Sequence, residues 1–285
     1  MKKKKISIGM IFVYLLLIFW AMTTIYPLLW VFQNSFKAKN KILENSFALP
    51  TGALFTTANY RKAFRDLNIF RAYKNSLFIS TMVCIIVIIL AGLASFALVR
   101  YSFKLKGLLQ TIVIAGMMFP VFATIIPVHR MEVLWGLANT GSWLKSMLSV
   151  ILPQVAGNLS FAIVVLSGYI KGLPIELEES AFLEGCTPFQ IFTKIVVPLT
   201  KPSFATVTIF SFLWSYNDLF TQMFFLRREE FKGITTLLNN ITSREGTDYG
   251  LMAAAVTLVV IPMVIVYIFL QKYIIKGMTA GAVKG

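Results

Sequence analysis

Apolar residues run along the chain in six blocks separated by short polar intervals. The blocks are Ser7–Phe32, Tyr73–Val99, Leu108–Val128, Met147–Ile170, Ser203–Phe225 and Leu251–Tyr273. Each reaches the roughly 20 residues that a helix needs to cross the hydrocarbon of a bilayer. The blocks are apolar on all sides rather than striped, as expected of helices set among lipid and neighbouring helices. The alternation of a membrane β-barrel is missing. The pattern therefore predicts an all-α, polytopic membrane protein with six transmembrane helices, without internal repeat. Prolines at 27, 120, 127, 153 and 262 fall inside or near the ends of these blocks, where kinks are expected.

Composition supports this reading. Of 285 residues, 57% are apolar and 14% charged, whereas a soluble domain carries about a quarter charged. The net charge is +15, but the basic residues occupy the gaps between blocks, which favours topology and anionic lipid over nucleic acid. Lys2 to Lys5 precede an apolar run much longer than a signal-peptide core, so an uncleaved first span is expected. These lysines and the short Arg100–Lys106 interval favour an N-terminus inside. Lysine and arginine totals on the two sides are close to equal, 13 against 14. Cys84 and Cys186 lie at different expected depths, so no disulfide is implied. His129 is the lone histidine, too few ligands for a metal site. No cofactor motif, catalytic constellation or ATP-binding glycine loop is present, so the chain is expected not to be an enzyme.

One polar interval, Lys171–Pro202, is patterned. Pro174 opens a helix over Ile175–Leu183, with Glu176, Glu178 and Glu179 where the dipole favours acids. Gly185 is placed to end it. Thr187, Pro188 and Gln190 form a capping-box start to a second helix. Phe189, Phe192, Ile195 and Val196 give that helix an apolar stripe, and Pro198 and Pro202 close it. The residues alone fit either a connector lying on the membrane surface or a grip on an aqueous partner.

Glu179-Ser180-Ala181, followed by Glu184-Gly185, Thr187, Ile195 and Pro198, resembles the EAA loop of permease subunits in binding-protein-dependent ABC importers. Ser180 replaces the middle alanine, and Glu184 stands where aspartate is usual. Lys276 to Gly285 resembles the C-terminus of carbohydrate-importer permeases of the maltose type, specifically the second subunit. Trp214-Ser215-Tyr216-Asn217-Asp218 resembles a Trp-x-x-Asn-acid segment in the fifth span of that group. The resemblance covers roughly Tyr73 to Gly285 and implies a type I ABC importer permease architecture. It implies that the loop is a coupling helix docking on a cytoplasmic ATPase subunit, with Gly281, Ala282, Val283, Lys284 and Gly285 reaching the same interface. Its implied partners are a second, related permease subunit in a heterodimer, two ATPase subunits, an extracytoplasmic solute-binding protein touching Arg227–Gly250, and a sugar. It further implies a bacterial multi-pass membrane protein with both termini in the cytosol. The expected segments are residues 1–72 (tail, first span and long loop), 73–273 (permease core with coupling loop 171–202) and 274–285 (tail).

Asp218 is the only acid within a predicted span, a costly position that signals function unless it lies at the interface. With Asn158, Trp214, Tyr216 and Asn217 it forms a candidate substrate path. Gln154 and Asn158, one turn apart, either line that path or bond a neighbouring helix. A rival reading is an ion-coupled secondary transporter or channel using Asp218, which leaves the loop pattern unexplained. An intramembrane enzyme is the other rival.

Overall fold

In hydrocarbon a chain must satisfy its own backbone groups, and a helix does so within one segment. The computed structural model describes residues 8–244 and 248–282, and these contain helices and turns without a strand. The helices are α1 Ile8–Asn34, α2 Lys39–Glu44, α3 Ala58–Asp66, α4 Ile69–Arg100, α5 Lys106–Met118, α6 Val121–Leu134, α7 Trp143–Lys171, α8 Glu176–Leu183, α9 Pro188–Ile191, α10 Val197–Leu199, α11 Lys201–Asn217, α12 Phe220–Phe225, α13 Ile234–Arg244 and α14 Tyr249–Ala282. Among the described residues, four helices are long and apolar enough to span singly, and six spans result if each of two bent pairs counts as one.

Two predicted spans are not continuous helices. The block Leu108–Val128 is broken into α5 and α6, which meet at 104°. Pro120 causes the break by forcing Phe119 into extended backbone, φ −74° and ψ 120°, because a residue before proline avoids the helical region. The block Ser203–Phe225 ends as a helix at Asn217, since Asp218 is extended with ψ 109°, and α12 follows as a separate turn. Segment 188–199 meets α11 at 81°, beside Pro202, which cannot donate the next backbone bond. Pro27, Pro127, Pro153 and Pro262 stay inside helices.

The chain forms two compact units, Met1–Ile69 with Leu238–Pro262, and Phe70–Leu237 with Met263–Gly285. In the first, α1 turns its large apolar side chains outward along its length. Ala63, Ile241, Leu251 and Ala255 form a small core. Asn59 Nδ2 donates to the carbonyls of Ser35 and Lys37 at 2.8 Å each. The buried Lys37 ammonium donates to the carbonyls of Asn45, Ser46 and Ala48 at 3.2, 3.0 and 2.6 Å. It therefore ties the segment after α2 to the end of α1. Lys37→Met is expected to leave the carbonyls of Asn45, Ser46 and Ala48 without their shared donor, at about 1–3 kcal/mol for each group not rehydrated. Limited proteolysis should then cut within residues 45–51 at lower protease concentration than in the unaltered chain.

In the second unit α7 is central. Its Met147, Val150, Ile151, Val155, Ala162 and Leu166 share a core with Ile79, Val83 and Val87 of α4, Val207 of α11 and Phe225 of α12. A smaller cluster, Phe96, Ile170, Ala181, Ile191, Phe192 and Val196, lies where α4 and α7 end and the polar loop begins.

A candidate coupling site and a polar bracket

The polar loop folds as its capping residues dictate. α8 ends at Gly185, whose φ of +85° lies in the left-handed region that a Cβ disfavours. The Gly185 N–H donates to the Phe182 carbonyl and the Cys186 N–H to the Ala181 carbonyl, both at 3.0 Å. This pairing satisfies the last carbonyls of α8. The next helix begins with a complete capping box: the Thr187 N–H donates to Gln190 Oε1 at 2.8 Å, and the Gln190 N–H donates to Thr187 Oγ1 at 3.3 Å. Helix, glycine turn and helix thus stand as the residue pattern predicts, with Ile175 capping α8 rather than opening it.

Burial divides the expected site residues. Glu179, Ser180, Glu184, Gly185, Thr187 and Pro198 are exposed, Ala181 is buried and Ile195 is half-buried. The predicted stripe needs one correction, because Phe189 is 66% exposed while Phe192 and Val196 lie inside. Phe182 and Leu183 are also exposed, at 65% and 87%. The loop therefore offers water an apolar ledge of Phe182, Leu183 and Phe189, with Glu179 and Glu184 beside it. Gly281 and Ala282 end α14, and Val283, Lys284 and Gly285 lie outside the described residues.

The loop is held to the spans by a pair that sequence reasoning missed. Arg100 closes α4, and its Nε and Nη2 both approach Glu178 Oε1, at 2.8 and 2.7 Å. Nη2 also donates to the carbonyls of Ile170 and Leu173 at 2.9 and 3.2 Å. One guanidinium thus joins α4, the C-terminal end of α7 and α8, and it satisfies carbonyls that a helix end leaves open. Both side chains are about one-tenth exposed. Arg100 read as a topology charge and Glu178 as a dipole acid. The only hint was that both sit close to the ends of apolar segments.

The second candidate group splits into an interior network and an exposed face. Asp218 Oδ2 accepts from Gln154 Nε2 at 2.6 Å, and Oδ1 accepts from the Thr221 N–H at 3.0 Å. Ser215 donates its hydroxyl proton to Gln154 Oε1, and Asn158 donates to the Gln154 carbonyl at 2.7 Å. The carboxylate therefore brackets α11 and α12 against α7. Tyr216 is fully buried and stacks on Phe212 at 5.7 Å. Trp214 and Asn217 are exposed. Trp214 lies 5.0 Å from Phe161 and 6.2 Å from Phe210 between ring centres.

The segment carrying Arg227 to Glu230 is fixed rather than loose. Asn75 Nδ2 donates to the carbonyls of Glu230 and Lys232, both at 3.1 Å, and the Trp143 indole donates to Asn75 Oδ1 at 2.9 Å. The Ile234 N–H donates to Ser76 Oγ at 2.9 Å. Arg228 pairs with Glu230 at 3.4 Å and Lys232 with Glu229 at 2.9 Å, so part of the charge on this segment is neutralised locally.

Residues 88–280 match the family described as binding-protein-dependent transport system inner membrane component. The chain is 29% identical over 283 residues to the probable ABC transporter permease protein YurM of Bacillus subtilis, covering 99% of this chain and 91% of that one. It is 31% identical over 268 residues to the diacetylchitobiose uptake system permease protein NgcG of Streptomyces coelicolor, covering 93% and 86%. The fold is similar to a chain in the crystal structure of a bacterial ABC transporter involved in the import of the acidic polysaccharide alginate. The TM-score is 0.81 at 21% identity, with 96% of this chain and 99% of that one covered. With most of its length matched, the chain belongs to the binding-protein-dependent transport system inner membrane components, the multi-pass permeases of ABC transporters.

Proposed function

We propose that this chain is one permease subunit of an ATP-driven sugar or oligosaccharide importer and turns ATPase closure into alternating access. The observation that carries the reading is the capped helix–turn–helix at residues 176–199. It presents Phe182, Leu183 and Phe189 to water beside Glu179 and Glu184. Exposed apolar side chains on a rigid mount favour a protein partner, and the EAA-type residue order assigns that partner as an ATPase subunit. Glu179, Ser180, Glu184, Gly185, Thr187 and Pro198 supply the exposed part of this contact. Ala181 and Ile195 seat it on the spans, and the tail Gly281–Gly285 extends it.

The remaining partners follow from the same reading. A second, related permease completes the path, a second ATPase binds there, and an external solute-binding protein delivers cargo at Arg227–Gly250. Both termini then face the cytosol, which the lysines at 2–5 favour. Sugar as cargo is supported by the relative named for diacetylchitobiose uptake and by others named for alpha-glucoside, trehalose and arabinooligosaccharide transport. On the substrate side, Trp214 and Asn217 offer a stacking face and an amide. Asn158, Tyr216 and Asp218 support that face from behind.

Glu179→Arg and Gly185→Asp test the coupling assignment. The first reverses an exposed charge, and the second places a side chain in left-handed backbone at about 1–2 kcal/mol. Each is expected to lower sugar uptake and co-purification with the ATPase about 10-fold or more, the scale of a lost interface anchor. Survival of both functions in both variants would overturn the assignment.

A further inference from the structure

We infer that Gly92 of α4 and Phe192 of the loop form the mechanical joint through which movement of the coupling helices reaches the second span. The inference rests on the coupling assignment above and names residues outside the EAA pattern. A Cβ built on Gly92 would stand 3.1 Å from Phe192 Cζ, 3.1 Å from Phe204 Cε1 and 3.3 Å from Phe204 Cζ. Two aromatic rings therefore rest against bare backbone at one position of α4. They come from opposite sides of the 81° bend, Phe192 before it and Phe204 after it.

Local chemistry explains why Phe192 sits there. Residues 192–196 form a π-turn, with the Val197 N–H bonded to the Phe192 carbonyl. Pro198 has no N–H for the Lys194 carbonyl and its ring crowds that group. Widening by one residue relieves both faults, and such single-turn bulges recur at functional positions. The extra residue changes the phase of the side chains before the bulge relative to those after it. The Phe192 ring also lies 5.4 Å from Phe96, one turn beyond Gly92. Phe204 packs on the α7-centred core and on the smaller cluster at the loop. The three residues thus stand where the loop's core meets the core of the spans. A close-packed contact of this kind transmits displacement because its atoms have no free volume to absorb it.

Gly92 and Phe192 act as positioning residues. Their test uses the assembled importer in proteoliposomes: this chain with its partner permease, ATPase and binding protein. The readout is the ratio of sugar imported to ATP hydrolysed. Gly92→Val is expected to lower that ratio about 10-fold, within the range of allosteric coupling energies, while the ATPase still co-purifies. Adding Phe192→Leu, which withdraws the ring edge, is expected to restore the ratio to within about 3-fold. A merely structural role would change the amount of assembled complex and leave the ratio alone. If Gly92→Val does not assemble, Gly92→Ala displaces the rings by only a few tenths of an ångström. It should show the same fall and rescue at about 3-fold amplitude. An unchanged ratio, or a fall that Phe192→Leu does not rescue, overturns the joint. Glu179→Arg in parallel separates the two readings. If it abolishes ATPase association while the Gly92 variants keep their ratio, only the joint is wrong. If it leaves association and uptake intact, the coupling assignment itself has failed.

Discussion

Arg100→Leu is expected to abolish uptake and to destabilise the chain by about 3–5 kcal/mol, the cost of breaking a buried ion pair from one side. Glu178 would be left with a buried carboxylate and without its guanidinium. The carbonyls of Ile170 and Leu173 would lose a donor at the same time. Chemical unfolding in detergent measures the stability term, and uptake in proteoliposomes measures the functional one. Arg100→Lys should be intermediate, because an ammonium keeps the charge but cannot span the carboxylate and two carbonyls as a planar fork does. The exchange Arg100→Glu with Glu178→Arg should recover only part of the loss. It restores opposite charges but places an acceptor against the α7 carbonyls. Unchanged stability and uptake in Arg100→Leu would show that the pair does not form in the membrane.

Asp218 separates transport driven by ATP from transport driven by an ion gradient. The carboxylate accepts from Gln154 and from the Thr221 backbone, so its role in this structure is to hold the break between α11 and α12. Asp218→Asn can keep every bond if the chain of donors reverses. The new amide nitrogen then donates to Gln154 Oε1, Gln154 donates to the Ser215 oxygen, and the amide oxygen still accepts from the Thr221 N–H. The expected result is ATP-driven uptake within about 3-fold of the unaltered importer and a stability loss of about 1 kcal/mol, the weight of a neutral for a charged hydrogen bond. Asp218→Leu leaves Gln154 without its acceptor and Thr221 without its cap. It should cost about 2–6 kcal/mol for two unsatisfied groups and lower the yield of folded protein. An ion-coupled transporter gives the opposite result for the neutral variant, since a site that must bind and release a cation or proton fails when its only charge is removed. Loss of uptake in well-folded Asp218→Asn would therefore favour the ion-coupled reading.

The interval 171–202 was legible because its signals are local. Thr187 with Gln190, and Gly185 after a helical run, specify caps through hydrogen bonds between residues three to five apart. The long apolar blocks were legible for a related reason, since hydropathy over about 20 residues needs no knowledge of neighbours. Their continuity was harder to read. Pro120 and Pro127 lie in one block, yet Pro120 ends a helix and Pro127 is absorbed inside one. Which proline breaks its helix depends on whether the freed carbonyl finds another partner, and that partner is supplied by tertiary structure. Phe189 and Phe192 illustrate the same limit. Both fit a 3.6-residue stripe, but the π-turn and the packing of α4 bury the second and leave the first in water.

Residue order was enough to set the class of the protein, an all-α membrane chain with a polar helix–turn–helix, because composition and capping act over short distances. Three features came only from packing between helices. Packing joined Arg100 to Glu178 across 78 positions, turned Asp218 from an isolated intramembrane acid into a bracket, and set two aromatic rings on Gly92. Each of these depends on groups from different helices meeting in low-dielectric surroundings, where an unpaired charge is costly and a missing side chain becomes a socket. No periodicity along the chain encodes which helices those are.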